Sequence, residues 1–398
     1  MRAPDDPMQA GALEPSRPLE IAAATSDRAP RVLSLDAFRG LSIAGMILVN
    51  NPGSWDHVYP LLLHAEWFGV TPTDLVFPFF LFAVGVSIPI SFGARAERGM
   101  GRGTLWAHVL RRSLVIYGLG LAMALVPDFD WPNVRLVGVL ARIALVYLVA
   151  ATLVLFVSRR VLFALTVSAL IVYWGLMSMV PTPGFEAGDL SPEGNLASYL
   201  DRILLGPHMW RGGGGVFDPE GLLSTLPALS NSLAGVFVGD LLRGDRDGSR
   251  TVRPLITLGP LLIVLGWVWG GWFPLSKNLW TSSYVVYTTG WAMLFLALLY
   301  WSIDVRGWKR WAMPLVVYGM NAITVFVASG LVAKTLIRWQ VDGAVAGQRT
   351  SMYQRAYEVG FASWAGPING SLAFAVATVL IWWACMWWLH RKRIFLKV

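Results

Sequence analysis

The chain has 398 residues, of which 55% are hydrophobic and only 14% are Asp, Glu, Lys or Arg, against roughly 25% charged residues in ordinary soluble domains. A soluble fold of this length could not bury so much apolar surface, so the composition excludes that class and predicts a lipid bilayer as the solvent. The net charge of +8 does not indicate a nucleic-acid partner, because the basic residues form short clusters between apolar runs rather than one basic face.

A polar tail comes first along the chain. Residues 1–30 are rich in Ala, Pro and mixed charge and lack the basic and apolar regions of a signal peptide, so we predict a disordered cytoplasmic tail. A helix needs about 20 apolar residues to cross a membrane, and about ten stretches of 31–398 qualify. They are approximately 36–52, 73–93, 106–126, 136–157, 161–180, 221–242, 254–273, 283–303, 312–333 and 369–389. The pattern predicts an all-α, polytopic membrane helical bundle.

The distribution of Lys and Arg predicts the topology of this bundle. Most of these residues fall in segments that are cytoplasmic if the N-terminus is inside, as the positive-inside rule requires. We therefore predict that both termini are cytoplasmic and that the protein lies in the cell inner membrane. Four segments are then extracytoplasmic, namely 50–69, 181–220, 276–280 and 334–368. With a single cysteine, Cys385, and no Cys/His spacing typical of a metal site, we predict no metal.

The first two predicted spans carry ionisable residues at their ends, and each such residue is a candidate functional group because charge in a bilayer is costly. Asp36 and Arg39 are three residues apart, on one helix face, where they can pair or contact an anionic ligand. Between the spans, His64 can accept and return a proton near neutral pH, or it is an interfacial histidine without chemistry. Asp74 begins the second span, where Thr71 or Thr73 can cap the helix.

Two arginines, Arg135 and Arg142, flank the apolar stretch LVGVLA at the start of the fourth predicted span. If this stretch is helical, about two turns separate them and they share a face. Arg142 then lies about two turns inside the membrane, where a guanidinium needs a carboxylate or phosphate partner. Ligand contact and structural pairing are both open at this point.

Several segments, spread over nearly the whole chain after residue 30, carry a resemblance to a known family. They are RVLSLDAFRGLSIAGMILVNN, LLHAEWFGVTPTDLVFPFFLFAVGVSI, RLVGVLARIALVYLV, FDPEGLLSTLPALSNSLAGVFVG, SKNLWTSSYVVYTTG, VYGMNAITVF and HRKRIFLKV. In this order they are similar to the membrane acetyltransferase family of heparan-α-glucosaminide N-acetyltransferase and its bacterial relatives. The resemblance implies that 31–398 is a transmembrane acyltransferase domain.

The resemblance also implies roles for individual residues. The family's active histidine lies in an H-A-x-W-x-G motif, matched by His64 in HAEWFG. A family asparagine that positions the acetyl group is matched best by Asn50, with Asn51 as the substitute, and an R-x-x-G-V-L-x-R motif corresponds to Arg135 and Arg142. We therefore predict catalysis by His64 and Asn50, acetyl-CoA contacts from Arg135, Arg142, Asp36 and Arg39, and acceptor contacts from Asp74, Glu66 and Asn51.

The implied reaction moves an acetyl group from cytoplasmic acetyl-CoA to the amine of a glucosamine-type sugar on the extracytoplasmic side. His64 would remove the amine proton during direct transfer, or would carry the acetyl group transiently, and the residues leave both routes open. Glu66 stands where the family often has a small residue or proline, which points to a different acceptor. The expected partners are acetyl-CoA, an amino-sugar or glycan acceptor, the bilayer and, by the resemblance alone, a second copy of the chain. A sugar or small-molecule transporter without acyl transfer is the alternative, although the two halves show no clear internal repeat.

Overall fold

The computed structural model describes residues 32–244, 248–343 and 349–396, so the predicted tail 1–30 lies outside the described residues. The longer helices are α1 (Leu33–Asn50), α2 (Val76–Ala96), α3 (Arg102–Leu125), α4 (Val139–Phe156), α5 (Arg159–Met179), α6 (Leu196–Leu205), α7 (Thr225–Gly244), α8 (Ser249–Trp269), α9 (Ser282–Tyr300), α10 (Met313–Met320), α11 (Ala322–Arg338) and α14 (Pro367–Arg391). The shorter elements are β1 (Gln340–Asp342), β2 (Arg349–Ser351), α12 (Met352–Tyr357) and α13 (Ser363–Ala365).

The predicted polytopic helical bundle is confirmed. Within the described ranges, nine helices are long and apolar enough to cross a membrane, and the bent pair α10–α11 makes a tenth if it crosses as one span. The nine are α1 to α5, α7 to α9 and α14. Among the residues that the structure describes, the exception to the all-helical prediction is the antiparallel pair β1–β2, which lies in the segment 334–368.

The prediction that 312–333 forms a single helix is wrong. The axes of α10 and α11 are bent by 80° at Asn321, whose φ of −126° and ψ of 36° are not helical. The Asn321 side chain instead binds the segment after α14, accepting from the Leu396 amide at 2.9 Å and donating to the Ile394 carbonyl at 3.4 Å. Hydropathy alone does not detect this break, because the residues on both sides of Asn321 are apolar.

The helices differ in how much of their surface is buried by protein. Within their most apolar windows, α1, α2, α7 and α9 are 61% to 67% buried, whereas α3, α5, α8 and α14 are 17% to 22% buried. The first four helices therefore form the centre of the bundle, and the other four present most of their surface to the surrounding apolar phase.

Small residues allow close contact between the central helices. A Cβ atom on Gly40 of α1 would lie 1.8 Å from the Leu315 carbonyl oxygen of α10, and a Cβ atom on Gly319 would lie 1.8 Å from the Asp36 carbonyl oxygen. In the same way, a Cβ atom on Gly85 of α2 would lie 1.8 Å from the carbonyl oxygen of Ser232 on α7. Such contacts are typical of membrane helices, where backbone packing replaces the hydrophobic effect as the source of association.

Candidate active site

His64 lies in the connection between α1 and α2, just after a 3₁₀ turn at Pro60–Leu62. Its side chain is 36% exposed, and its Nδ1 atom is 2.6 Å from the Oδ1 atom of Asp74. A hydrogen bond of this kind fixes the orientation and the tautomer of an imidazole, leaving the other ring nitrogen to accept a proton. Asp74 is thus the polar partner of His64, a contact that the sequence did not predict.

Asp74 is fully buried and bound on all sides by protein. It lies in the 3₁₀ turn Pro72–Leu75 that leads into α2, where it forms a capping box with Thr71. Its Oδ2 atom accepts hydrogen bonds from the Thr71 amide at 2.9 Å, the Thr71 hydroxyl at 3.1 Å and the Ala65 amide at 3.1 Å. The predicted cap is therefore made by Thr71 rather than Thr73. These contacts favour a role in orienting His64 over the predicted direct contact with the acceptor.

A lysine that was not among the predicted site residues completes this cluster. Lys277, in the connection between α8 and α9, places its Nζ atom 3.0 Å from both ring nitrogens of His64 and 4.0 Å from Asp74 Oδ1. Burial lowers the pKa of Lys277, and the negative charges of Glu220 and Asp74 only partly offset this effect. The neighbouring Asn278 donates to the Glu66 carbonyl oxygen at 3.0 Å, which holds the two connections together.

The other predicted residues of this region are less closely involved. Asn50 ends α1, is exposed, and makes no side-chain hydrogen bond with any residue that the structure describes. Asn51 is buried and donates to the Ile47 carbonyl at 2.7 Å, closing the end of α1. Glu66 is exposed, and it contacts the connection between α8 and α9 through its main-chain carbonyl rather than its carboxylate. The structure thus joins His64 to Asp74 and Lys277, with Asn50 free to contact a ligand.

The predicted common face for Arg135 and Arg142 is wrong. Gly138 has a φ of +142°, which is open to glycine but not to L residues with side chains, and α4 begins only at Val139. Arg135 therefore lies in the loop before the helix, and Arg142 lies in its first turn rather than two turns inside the membrane.

Arg135 and Arg142 each bind the segment before α7. Arg135 pairs with Asp218, at 2.9 Å from Nε to Oδ2, and with Glu220, at 2.6 Å from Nη2 to Oε2. Burial lowers the pKa of Arg135, but these two carboxylates outweigh it and raise the pKa above its ordinary value. Arg142 is 2% exposed. It donates to the Gly221 carbonyl oxygen and to Ser224, and lies 4.8 Å from the ring centroid of Trp280.

Asp36 and Arg39 form the predicted contact along α1, at 3.8 Å between Arg39 Nη1 and Asp36 Oδ1. Arg39 also lines a narrow cavity of about 10 Å³ between α1, α2, α3, α4 and α11. Arg112 of α3 lines the same cavity and lies over the Tyr147 ring, at 4.8 Å from its centroid. Arg112 was not predicted as a site residue, because it stands next to Arg111 in a basic cluster of the kind that determines membrane topology.

A larger cavity of about 560 Å³ lies next to the narrow one. Its lining contains Gly120 of α3 and Phe326 of α11, each about one helical turn from a residue of the narrow cavity, Ile116 and Ile323. The charged lining residues of the large cavity are Arg135, Arg211, Lys334, Arg338, Asp128 and Asp130. The two cavities therefore follow one seam between the helices α3, α4 and α11. His64 lines neither of them, and its ring opens to solvent instead.

Comparison with known proteins gives one family and two relatives. A family model described as heparan-α-glucosaminide N-acetyltransferase, catalytic, matches residues 31–267. The human heparan-α-glucosaminide N-acetyltransferase is 30% identical over 356 residues, covering 75% of this chain and 52% of the human protein. The mouse protein of the same name is 31% identical over 353 residues, covering 75% of this chain and 53% of the mouse protein. The chain thus spans about half the length of these curated relatives, and Lys277 lies outside the segment that the family model matches.

Proposed function

Because the chain belongs to the heparan-α-glucosaminide N-acetyltransferase family, we propose that it is a membrane acetyltransferase. The donor in this proposal is acetyl-CoA from the cytoplasm, and the acceptor is the amine of a glucosamine-type sugar on the other side of the cell inner membrane. The observation that carries the proposal is the 2.6 Å hydrogen bond between His64 and the buried Asp74, with the His64 ring open to solvent.

The chemistry assigns a distinct task to each nitrogen of His64. Nδ1 donates its proton to Asp74, so the lone pair of Nε2 is available as a general base. A sugar amine is mostly protonated at neutral pH and attacks only after it has released one proton to water. As the neutral amine nitrogen bonds to the thioester carbonyl carbon, Nε2 takes a second proton from that nitrogen. The carbon–sulfur bond then breaks, and the proton passes to the departing thiolate of coenzyme A.

Asn50 is the proposed donor to the developing oxyanion. Its amide is exposed at the end of α1, on the same end of the bundle as His64, and a side-chain amide in this role typically contributes about 10²–10³ in rate. The exposed Glu66 carboxylate is the proposed contact for the acceptor. Asn51 has a protein partner in Ile47, which makes it a weaker candidate than Asn50.

Arg39 and Arg112 support a donor route along the seam between α3, α4 and α11. Both guanidinium groups line the narrow cavity, and guanidinium groups bind phosphate by charge-assisted hydrogen bonds. The seam leads from this cavity to the large one, about one helical turn away, at the end of the bundle that carries His64. We propose that the phosphates of acetyl-CoA lie on the Arg39 side, with the thioester reaching toward the other end. Asp36 holds Arg39 in place, while Arg135 and Arg142 contribute by bracing the loop at the end of this route.

The test is an assay in liposomes that contain the purified protein, with labelled acetyl-CoA on one side and glucosamine on the other. We expect labelled N-acetylglucosamine from the unaltered chain and a loss of about 10²–10⁴ in rate for His64→Ala, the range for a general base. The matched control is His57→Ala, since His57 is an exposed histidine in the same connection. It should retain the full rate.

Two results would overturn the proposal. A fully active His64→Ala variant would remove His64 from the mechanism. Unmodified glucosamine crossing the membrane, with no labelled product, would support a transporter instead. Label located on His64 by peptide mass spectrometry when the acceptor is left out would indicate that the acetyl group passes through His64 itself.

A further inference from the structure

Lys277 occupies an unusual position for a cation, next to an imidazole that is proposed to act as a base. Its Nζ atom is 3.0 Å from Nδ1 and 3.0 Å from Nε2 of His64, so the amine is equally close to both ring nitrogens. The Lys277 side chain is only 16% exposed. The surrounding protein therefore fixes its position, unlike that of a solvated surface lysine.

The groups around His64 have opposing effects on its protonation. The Asp74 carboxylate, 2.6 Å from Nδ1, favours the charged imidazolium, and a base that is already protonated cannot accept the amine proton. Burial lowers the pKa of Lys277, but wherever its amine is charged it disfavours the imidazolium, because like charges repel at this distance. Two charged residues of other elements act on Lys277. Glu220, in the segment before α7, raises the pKa of Lys277, and Arg142 of α4 lowers it. Within the loop of His64, the residues Asp56, His57 and Glu66 are exposed and screened by solvent.

We propose that Lys277 is a positioning residue that keeps His64 in the neutral, proton-accepting form against the pull of Asp74. The inference rests on the proposed function of His64 as the base. It assigns a task to a residue that lies 213 positions along the chain from His64 and outside the matched family model.

The expected effect follows from Coulomb's law. Removing one positive charge 3.0 Å from both ring nitrogens should move the pH at which His64 loses its proton upward by roughly one to four units, the range between water-like and protein-like screening. Because His64 is one-third exposed, we expect the lower end of that range.

The experiment measures His64 directly rather than through catalysis. Diethyl pyrocarbonate modifies only unprotonated imidazoles, so its rate of reaction with His64, followed by peptide mass spectrometry over a range of pH, gives the midpoint of deprotonation. We expect Lys277→Met and Lys277→Gln to raise this midpoint by about one unit or more, whereas Lys277→Arg retains the charge and leaves the midpoint near that of the unaltered chain. Lys309→Met, at an exposed lysine of another connection, is the matched control. The reaction of His57 in each sample is the internal standard for the activity of the reagent.

The outcomes separate this inference from the proposed function. An unchanged midpoint for His64 in both Lys277→Met and Lys277→Gln overturns the inference, whatever the transferase rate. A raised midpoint with no transferase activity in any variant supports the coupling of Lys277 to His64 and overturns the acetyltransferase proposal. If the midpoint rises and the unaltered chain is active, the acidic limb of its pH–rate profile should move upward in Lys277→Met by the same amount. A loss of rate that is equal at every pH, with the midpoint unmoved, would indicate a purely structural lysine.

Discussion

Replacing Asp74 with asparagine separates the two tasks of this carboxylate. One oxygen of Asp74 accepts three hydrogen bonds from the turn, two of them from the amides of Ala65 and Thr71, and the other faces Nδ1 of His64. Asparagine has nearly the same shape but only one oxygen. If that oxygen serves the turn, the NH₂ group faces His64, and Nδ1 must then accept a hydrogen bond instead of donating one. The proton of the imidazole moves to Nε2, and the nitrogen that should act as the base carries a hydrogen.

The magnitude of the effect can be worked out from these contacts. The hydrogen bonds that cap α2 are retained, so we expect Asp74→Asn to cost less than about 1 kcal/mol in stability. The wrong tautomer should lower the rate of acetyl transfer by roughly 10²–10⁴, as the equivalent substitution does in serine proteases, which corresponds to about 3–5 kcal/mol in the activation barrier. Loss of activity without loss of stability is therefore the expected signature.

The measurement combines initial rates in liposomes with thermal unfolding of the purified protein. Thr71→Val is the matched control, because it removes one hydroxyl from the turn, at 3.1 Å from Asp74 Oδ2, and leaves the Asp74–His64 contact in place. We expect this control to lower the unfolding temperature and to leave the rate nearly unchanged. Full activity in Asp74→Asn would show that the carboxylate only caps the turn, and the assignment of His64 as an oriented base would be refuted.

Three further predictions concern stability. Burial raises the pKa of Asp201 to about 6, so the folded state binds its proton more tightly than the unfolded state and stability falls as the pH rises from about 4 to 6. Asp201→Asn should therefore raise the free energy of unfolding at pH 7.5 by an amount on the order of 2 kcal/mol, measured as a higher unfolding temperature, and change it little at pH 4. Arg135→Ala removes the cation that pairs with the buried Asp218 carboxylate and should cost about 2–4 kcal/mol in the free energy of unfolding. Adding Asp218→Asn should restore part of this loss, and a free energy of acetyl-CoA binding that changes by more than the free energy of unfolding would favour ligand contact. Gly40→Ala places a methyl group against the Leu315 carbonyl and should lower stability by about 1–3 kcal/mol in thermal unfolding, whereas normal stability would contradict the close contact of α1 with α10.

Most of the fold could be predicted because a bilayer imposes a simple requirement. Every long segment within it must be apolar and helical, and nine of the predicted spans are continuous helices that begin and end within a few residues of the expected positions. The errors lie where a backbone conformation decides. Gly138 precedes the first residue of α4, so Arg135 lies outside that helix, and Asn321 turns α10 away from α11 by 80°. Hydropathy does not detect the effect of either residue on the backbone.

The site was only partly predictable. His64 could be found because a short motif surrounds it, and Asp74 because an acidic residue at the start of a membrane helix needs a reason. Their contact could not be deduced, since the connection between them has no regular period. Lys277 was missed because it stands in a short polar loop, where a lysine is ordinary, and its approach to His64 depends on how α9 packs against α2.

The burial of the helices suggests a division of work within the bundle. His64, Asp74 and Lys277 come from the connections that precede or follow α1, α2 and α9, which are among the most buried helices. Extensive burial resists local opening, so these connections hold the proposed base in one geometry without help from a ligand. The proposed donor seam instead runs along α3, which is only 22% buried, and its narrow part of about 10 Å³ is far too small for a nucleotide. Donor binding along this route therefore requires the helices around the narrow cavity to separate. α3 packs mainly against α4, so it can move without disturbing the connections that hold His64.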